Sequence, residues 1–360
     1  RKKNNWELGT LSHIHKESSQ RVKPQCIYFG LHSNACGGCK MQHLNPSAQV
    51  AIKQRVIEDN LWHLGKVKPE FILRPIHGLD WHYRYRARLS VRYVRKKAKV
   101  LIGFHERKSS YVADMSSCEV LPVKVSQLLL PLRALIERLE AREDCPQLEL
   151  ACTKTTIAFV LRHMHPLSPH DLELLRRFAT AYGVQWWLQS KGPESVKLMD
   201  AEELAPELQM LSYELPDFDL VMKFRPTDFT QVNPFINEVM VSKAVSLLDI
   251  SKTDRIIDWF CGLGNFTLPI ATLAKEVVGI EGSQSMVDLA QFNFKLNSSS
   301  PDRLCSVNFY AQNLFDMTDE KLYELGVADK WLIDPPREGA HALINSLVSL
   351  IQKKALTNWS

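Results

Sequence analysis

The chain has 360 residues, of which 45% are hydrophobic, and a formal net charge of +5. This length supports two or three domains with sizeable cores. No apolar stretch is long enough to span a bilayer and no signal peptide is evident, so we expect a soluble, cytoplasmic protein without a membrane partner. The chain begins with Arg-Lys-Lys and ends at Ser360 without an obvious end signal, so we interpret it as a fragment clipped at both ends.

The first two thirds of the chain combine helical and strand patterns. Residues 1–23 are short and basic, and we interpret them as the last strands of a small β domain whose start is missing. Residues 24–221 form a mixed α+β central domain. Its apolar periodicity predicts helices over 49–64, 125–139 and 171–182, strands over 85–94 and 100–104, and a pair of strands over 148–161.

One segment of the central domain is strongly basic. Ten Lys or Arg and one acid, Glu106, lie between residues 81 and 108. Arg84, Arg86 and Arg88 alternate with aromatic and apolar residues, which predicts a strand with one basic face. This face, continued by Arg92, is either a solvated surface or an RNA-binding surface. The interleaved tyrosines favour RNA, because aromatic rings also stack on bases.

From residue 222 to residue 360, strands and helices alternate. The pattern predicts strands over 255–260, 276–281, 307–311 and 331–334, and helices over 266–275, 283–297, 319–325 and 340–356. Such alternation indicates an α/β domain, with a parallel sheet and helices on both faces.

Three of these strands end in polar residues. The first ends at Asp258 and passes through a Gly262-x-Gly264 turn into a helix; glycine lets the backbone approach a ligand closely. The second ends in Glu281, 17 residues after Gly264, where a carboxylate grips a ribose diol. The third is followed by Asp334. Together these strand ends predict a site for a nucleoside cofactor.

Eight cysteines are present, and three of them, Cys26, Cys36 and Cys39, share one short loop. In a reducing compartment such a cluster indicates a metal rather than disulfides, and Cys118 is the best fourth ligand. Four thiolates suit zinc or an iron–sulfur cluster, and the spacing alone does not choose between them. We expect Cys261 to pack beneath the cofactor.

These segments resemble a known family over nearly the whole chain: the bacterial 23S rRNA (uracil(1939)-C(5))-methyltransferases that carry an iron–sulfur cluster. The matching motifs are Cys36-Gly-Gly-Cys39-x-Met-Gln-His, Asp228-Phe-Thr-Gln-Val-Asn, Phe260-Cys-Gly-Leu-Gly-Asn-Phe-Thr, Val278-Gly-Ile-Glu and Asp334-Pro-Pro-Arg.

The resemblance implies a Rossmann-like domain that binds S-adenosylmethionine, a central domain with a [4Fe-4S] cluster, and the end of an N-terminal β-barrel of TRAM or OB type. The implied cofactor contacts are Gln231, Phe260, Asn265, Glu281, Asn313 and Asp334. The implied cluster ligands are Cys26, Cys36, Cys39 and Cys118. The implied partner is 23S rRNA with a flipped uridine in a loop, and we expect a monomer.

The family's nucleophile lies in a Ser-Cys-Asn-Pro motif, and its proton-abstracting glutamate lies further on. Neither matches a residue of this chain, so we assign no catalytic residue. We expect both to lie beyond Ser360, and the chain as given to be inactive.

Three alternatives remain open. One is a zinc-stabilised RNA-binding protein without catalysis, and another is a methyltransferase for small molecules, which the basic segment disfavours. The third is a tRNA uracil-C5 methyltransferase, a group that generally lacks the cluster cysteines.

Overall fold

A computed structural model of the chain describes residues 2–3, 6–7, 9, 11–201, 204, 209–298 and 303–357. The strands are β1 (Lys2–Lys3), β2 (Trp6–Glu7), β3 (Arg86–Val94), β4 (Lys99–Gly103), β5 (Gln147–Cys152), β6 (Ile157–Arg162), β7 (Val184–Gln189), β8 (Lys197–Leu198), β9 (Leu211–Leu215), β10 (Leu220–Phe224), β11 (Arg255–Trp259), β12 (Glu276–Glu281), β13 (Ser306–Ala311) and β14 (Lys330–Ile333). The helices are α1 (Pro46–Asp59), α2 (Val123–Arg138), α3 (Pro169–Tyr182), α4 (Pro234–Leu248), α5 (Thr267–Ala271), α6 (Gln284–Asn297), α7 (Asp319–Glu324) and α8 (His341–Thr357).

The central domain is built on a six-stranded sheet in the order β4-β3-β5-β6-β7-β8. Its pairs are antiparallel except β6 with β7. Alternate side chains of these strands enter two different cores, as the two-residue period of a strand requires. Phe159 and Trp186 pack on the side of α2 and α3. Val160 and Trp187 lie on the opposite face, in a core that also contains residues of β9, β10 and the parallel-sheet strands. The sheet is therefore shared between two hydrophobic cores.

The second domain contains a four-stranded parallel sheet in the order β13-β12-β11-β14. Its inner strands are continuous apolar runs, which is typical of strands covered on both faces. The strand order reverses between β11 and β14. Ligands of open α/β sheets bind in the crevice at such a reversal, outside the carboxyl ends of the strands.

A β-hairpin, β9–β10, lies against the parallel-sheet domain. The side chains of Asn293 and Asn297 on α6 form hydrogen bonds with the backbone of Lys223 and Val221 on β10. The predicted boundary between residues 221 and 222 falls within β10. We therefore propose a boundary before β9, so that the hairpin stays with the helix that holds it.

Most predicted elements are present, with shifts of one to three residues at their ends. The helix expected over 266–275 is shorter and ends at Ala271, because the Ala271 carbonyl accepts a hydrogen bond from the Cys305 backbone N–H instead of continuing the helix. The helix expected over 49–64 begins earlier, at Pro46, and its last turn, Asn60–Leu64, is π-helical.

The end of a β-barrel expected over residues 1–23 lies partly outside the described residues. Within the described part, β1 and β2 pair antiparallel, and Arg21 forms an isolated bridge with Leu44. Among the helices that the structure describes, none combines the length and apolar character needed to cross a membrane.

Candidate functional site

The carboxyl edge of the parallel sheet brings three predicted site residues together. In the strand register, Trp259 at the end of β11 lies opposite Ile280 on β12 and Ile333 on β14. The next residue along each strand is therefore Phe260, Glu281 or Asp334. These three residues therefore lie side by side at the strand reversal, although 74 positions separate the first and the last in the chain.

The loop after β11 has an unusual backbone. Phe260 has a φ of 64°, which a side chain with a Cβ rarely adopts, and Gly262 and Gly264 have φ values of 55° and 95°. Residues held in this region cost of order 1–3 kcal/mol and cluster at ligand sites. Cys261 is buried below the loop, and burial raises the pKa of its thiol well above the usual value. A buried neutral thiol fits the packing role expected for Cys261.

The carboxylate of Glu281 is fixed by backbone donors. Its Oε2 accepts a hydrogen bond from the Gly262 N–H at 3.1 Å, and its Oε1 accepts one from the Ser283 N–H at 3.1 Å. A carboxylate oxygen has more than one lone pair, so both oxygens keep acceptor capacity for a ligand. Glu281 therefore ties the glycine loop to the end of β12 and offers acceptors for a ribose diol at the same time.

A hydrogen-bonded triad of Asn265, Tyr213 and Asn237 holds the end of the glycine loop. The Asn265 Oδ1 accepts from the Tyr213 hydroxyl at 2.7 Å and from Asn237 Nδ2 at 3.1 Å, while Asn265 Nδ2 donates to Asn237 Oδ1 at 2.9 Å. These bonds leave Asn265 one amide N–H for a ligand. Tyr213 and Asn237 were not expected at the site, because they lie on the hairpin and on α4, which the sequence patterns did not predict.

Asn313 lies two residues beyond β13, at the same edge of the sheet. Its Oδ1 accepts a hydrogen bond from the Phe315 N–H at 3.0 Å and begins a short 3-10 turn. The Phe315 ring lies 6.3 Å from the Phe260 ring, centroid to centroid. This part of the crevice therefore carries aromatic surface, which suits a purine base.

Among the described acidic residues at this edge of the sheet, only Asp258 is fully buried. Its Oδ2 accepts from the Thr267 hydroxyl at 2.6 Å, whereas its Oδ1 has no described hydrogen-bond partner. Burial, assisted by the nearby carboxylates of Asp334 and Glu281 and opposed by the hydrogen bond from Thr267, raises the pKa of Asp258 to about 7. Burial also raises the pKa of Asp334.

Gln231 reaches the site from a segment anchored on the central domain. It lines a cavity together with Tyr213 and Asn237, two members of the triad around Asn265. The Val232 carbonyl accepts a hydrogen bond from the Tyr85 backbone N–H at 2.8 Å. The structure thus brings Gln231 to the same triad as Asn265.

The four predicted RNA-binding arginines have different environments. Arg84 has a buried Nε without a described hydrogen-bond partner. Arg86 points at the second domain, where it donates to Thr230 Oγ1 at 3.2 Å and to the Pro226 carbonyl. Arg88 is exposed and pairs with Glu149 at 2.8 Å, and Arg92 is exposed. The basic face expected over this strand is therefore interrupted by Arg86, whose donors contact protein.

The four predicted cluster ligands surround one cavity. Cys26, Cys36, Cys39 and Cys118 line it together with apolar side chains. Burial raises the pKa of Cys26 and Cys36, and raises that of Cys118 to about 12; the neighbouring thiols add to each shift. Within the described part of the chain, no three His, Cys, Asp or Glu side chains are arranged to hold a single metal ion. The cavity brings the four cysteines together, and a metal centre on them stays a prediction.

The fold and the crevice define an α/β methyltransferase of the class that uses S-adenosylmethionine. The family model described as tRNA (Uracil-5-)-methyltransferase matches residues 47–354. The chain therefore belongs to the uracil-5-methyltransferase family, a family of enzymes.

Curated relatives carry a more specific name. The protein of Albidiferax ferrireducens named 23S rRNA (uracil(1939)-C(5))-methyltransferase RlmD is 63% identical over 358 residues, which are 98% of this chain and 74% of that protein. The protein of the same name from Paracidovorax citrulli is 62% identical over 357 residues, 98% of this chain and 72% of that protein.

A solved structure shares the fold. It is the Pyrococcus abyssi tRNA (uracil-54, C5)-methyltransferase in complex with S-adenosyl-L-homocysteine, with a TM-score of 0.62 and 21% identity, covering 87% of this chain and 73% of that one. The likeness confirms the α/β methyltransferase architecture.

Proposed function

We propose that this chain binds S-adenosylmethionine at the carboxyl edge of its parallel sheet and serves the methylation of uracil C5 in 23S rRNA. The substrate rests on two relatives above 60% identity that are named for 23S rRNA. The tRNA alternative is supported by the description of the family model and by a structure at 21% identity. The observation that supports cofactor binding is the convergence of Phe260, Glu281 and Asp334 at the strand reversal.

The proposed cofactor contacts divide by chemistry. Glu281 accepts from the ribose hydroxyls, because its carboxylate is already oriented by two backbone donors. Asn313 and Phe260 contact the adenine side, next to the Phe315 ring. Gln231, Asn265 and Asp334 contact the remaining part of the cofactor.

The reaction divides one difficult step into easier ones. Uracil C5 is a weak nucleophile until a thiolate adds to C6 and makes C5 enolate-like. S-adenosylmethionine supplies the electrophilic methyl group that C5 then attacks. A base removes the C5 proton, and the thiolate leaves. The uracil must leave its stack to be reached, so the substrate is a loop or a flipped nucleotide.

The 360 residues supply the binding part of this mechanism. The motif Ser-Cys-Asn-Pro does not occur in the sequence. Cys261, the cysteine of the glycine loop, is buried, and its raised pKa opposes thiolate formation. We therefore propose that these residues bind the cofactor and RNA, and that methyl transfer requires a thiol that they do not contain.

We further propose a [4Fe-4S] cluster on Cys26, Cys36, Cys39 and Cys118. Four cysteines around one largely apolar cavity match the ligand set of such clusters. The resemblance to the iron–sulfur methyltransferases favours such a cluster over one zinc ion. The Gly38 N–H, 3.4 Å from Cys36 Sγ, would lower the energy of a thiolate there.

Two binding measurements test the proposal. Calorimetry with S-adenosylhomocysteine should show one site per chain. A 23S rRNA fragment should bind more tightly than a tRNA of the same length. A chain that binds no cofactor, or that prefers tRNA, would contradict it.

A further inference from the structure

The cysteine loop forms a close contact with a neighbouring turn. Cys36 forms a β-bridge with Glu106, the Gly37 N–H donates to the His105 carbonyl at 2.8 Å, and the Arg107 N–H donates to the Ala35 carbonyl at 2.7 Å. The cysteine loop is thus joined to the turn of residues 104–112 by backbone hydrogen bonds.

Two glycines permit this approach. A Cβ at Gly37 would lie 3.1 Å from the His105 carbonyl oxygen, and one at Gly38 would lie 3.1 Å from the Phe104 ring. The close packing places Lys40, just after the loop, beside the tip of the turn.

A basic cavity of about 500 Å³ lies at this junction. Lys40, Arg107 and Lys108 line it with one acid, Glu106, and all three cations are exposed. None of the three forms an ion pair or a side-chain hydrogen bond with any residue that the structure describes. We call this feature the Lys40 cavity.

Three cations of the neighbouring basic segment differ in this respect. Arg88 pairs with Glu149, Arg95 with Glu143, and Lys99 with Asp114. A phosphate that binds those side chains must compete with a carboxylate. A phosphate in the Lys40 cavity meets cations without carboxylate partners, so no ion pair has to be broken for it to bind.

Two further contacts indicate a nucleic-acid surface. Ser90 Oγ lies 2.8 Å from His105 Nε2, so the exposed face of β3, with Arg88 and Arg92, continues into the Lys40 cavity. On the opposite limb of the turn, Tyr111 is 74% exposed. An exposed aromatic ring beside unpaired cations is the combination by which proteins bind single-stranded nucleic acid.

We propose that the Lys40 cavity binds backbone phosphates of the substrate RNA, and that Tyr111 stacks on an unpaired base of the same strand. This surface rests on the proposed function, which supplies the RNA, and adds an RNA contact to those of the basic strand. Its partner is a single-stranded stretch that flanks the methylated loop.

The test is RNA binding by the full chain as a function of salt, measured by fluorescence anisotropy with a labelled 23S rRNA fragment. The triple variant Lys40→Ala, Arg107→Ala, Lys108→Ala should reduce the slope of log K against log salt by about two to three, since each phosphate contact contributes roughly 0.7 to 0.9. Lys252→Ala with Lys275→Ala is the matched control, because both lysines are exposed at the amino-terminal edge of the parallel sheet. The control should leave the slope unchanged.

The aromatic half of the proposal has its own variant. Tyr111→Ala should weaken RNA binding by about 5- to 150-fold without changing the slope, because stacking contributes about 1–3 kcal/mol per base. Tyr111→Phe keeps the ring and should bind as the wild type does.

Cofactor binding separates this inference from the proposed function. All variants should bind S-adenosylhomocysteine and melt as the wild type does. A triple variant with wild-type slope and affinity overturns the inference while the proposed function stands. An equal loss in the control also overturns it, because the effect would then be one of net charge. A wild-type chain that binds cofactor but no RNA overturns both.

Discussion

Arg86 joins the basic strand to the segment that carries Gln231, and replacing it tests how the two domains depend on each other. Its guanidinium donates to Thr230 Oγ1 and to the Pro226 carbonyl and lies 5.9 Å from the centre of the Phe224 ring. Burial lowers the pKa of Arg86, against the nearby carboxylates of Glu149 and Asp228. Arg86→Met keeps the aliphatic length and removes the donors.

The expected loss follows from these contacts. A hydrogen bond to a charged group contributes about 1.5–3 kcal/mol, and a cation–π contact about 0.5–2 kcal/mol. Removing the guanidinium also removes the cost of burying it. We therefore expect the free energy of unfolding to fall by about 2–4 kcal/mol. Affinity for S-adenosylhomocysteine should fall about tenfold, because the segment before Gln231 loses its anchor.

Arg88→Met is the matched control on the same strand. The Arg88 side chain is 70% exposed, and an exposed ion pair contributes about 0–1 kcal/mol. It should change stability little and reduce the salt slope of RNA binding by about one. Urea denaturation, calorimetry and anisotropy measure the three quantities. If Arg86→Met kept its stability and cofactor affinity but reduced the salt slope of RNA binding, Arg86 would be an RNA contact. Our interpretation of Arg86 as a link between the two domains would then be wrong.

Three further predictions concern the crevice and the cysteines. Glu281→Gln should weaken S-adenosylhomocysteine binding about ten- to a hundredfold, because an amide cannot accept from both Gly262 and Ser283; unchanged affinity in calorimetry would remove Glu281 from the site. Asp258→Asn should remove the pH dependence that Asp258 gives to the free energy of unfolding. Since the folded pKa of about 7 lies above the usual 3.8, Asp258 makes stability fall as pH rises between these values, by about 1.4 kcal/mol per pH unit, and parallel wild-type and variant curves from urea denaturation would contradict this. Anaerobically purified protein should contain iron and sulfide in equal amounts, and Cys39→Ser should lose both while Cys305→Ser keeps them. One zinc per chain without sulfide would overturn the cluster.

The parallel sheet was predictable from sequence because its strands are buried on both faces. Such strands read as short apolar runs, and their polar ends, Glu281 and Asp334, identify the carboxyl edge at once. The order of the strands then brings these residues together, so local patterns were sufficient for most of the crevice.

The supports of the site were not predictable in the same way. Arg86 lies 144 positions from Thr230, and Tyr213 lies 52 positions from Asn265. No local pattern records which partner a buried arginine or tyrosine finds. Helix α4, which carries Asn237, does have a start signal: Asn233 caps it and Pro234 follows. That signal is visible in the sequence and predicts a helix before the glycine loop.

The most direct test of the account is methyl transfer from labelled S-adenosylmethionine to unmodified 23S rRNA, with 5-methyluridine identified in the digested RNA. The 360-residue chain alone should bind cofactor and RNA but form no product. The same chain extended by a segment that carries a Ser-Cys-Asn-Pro motif and the family's glutamate should form 5-methyluridine at one position, and should lose activity when that cysteine is replaced by alanine. Product formed by the 360 residues alone would show that the nucleophile lies among them. An extended chain that methylates tRNA in preference to 23S rRNA would contradict the proposed substrate.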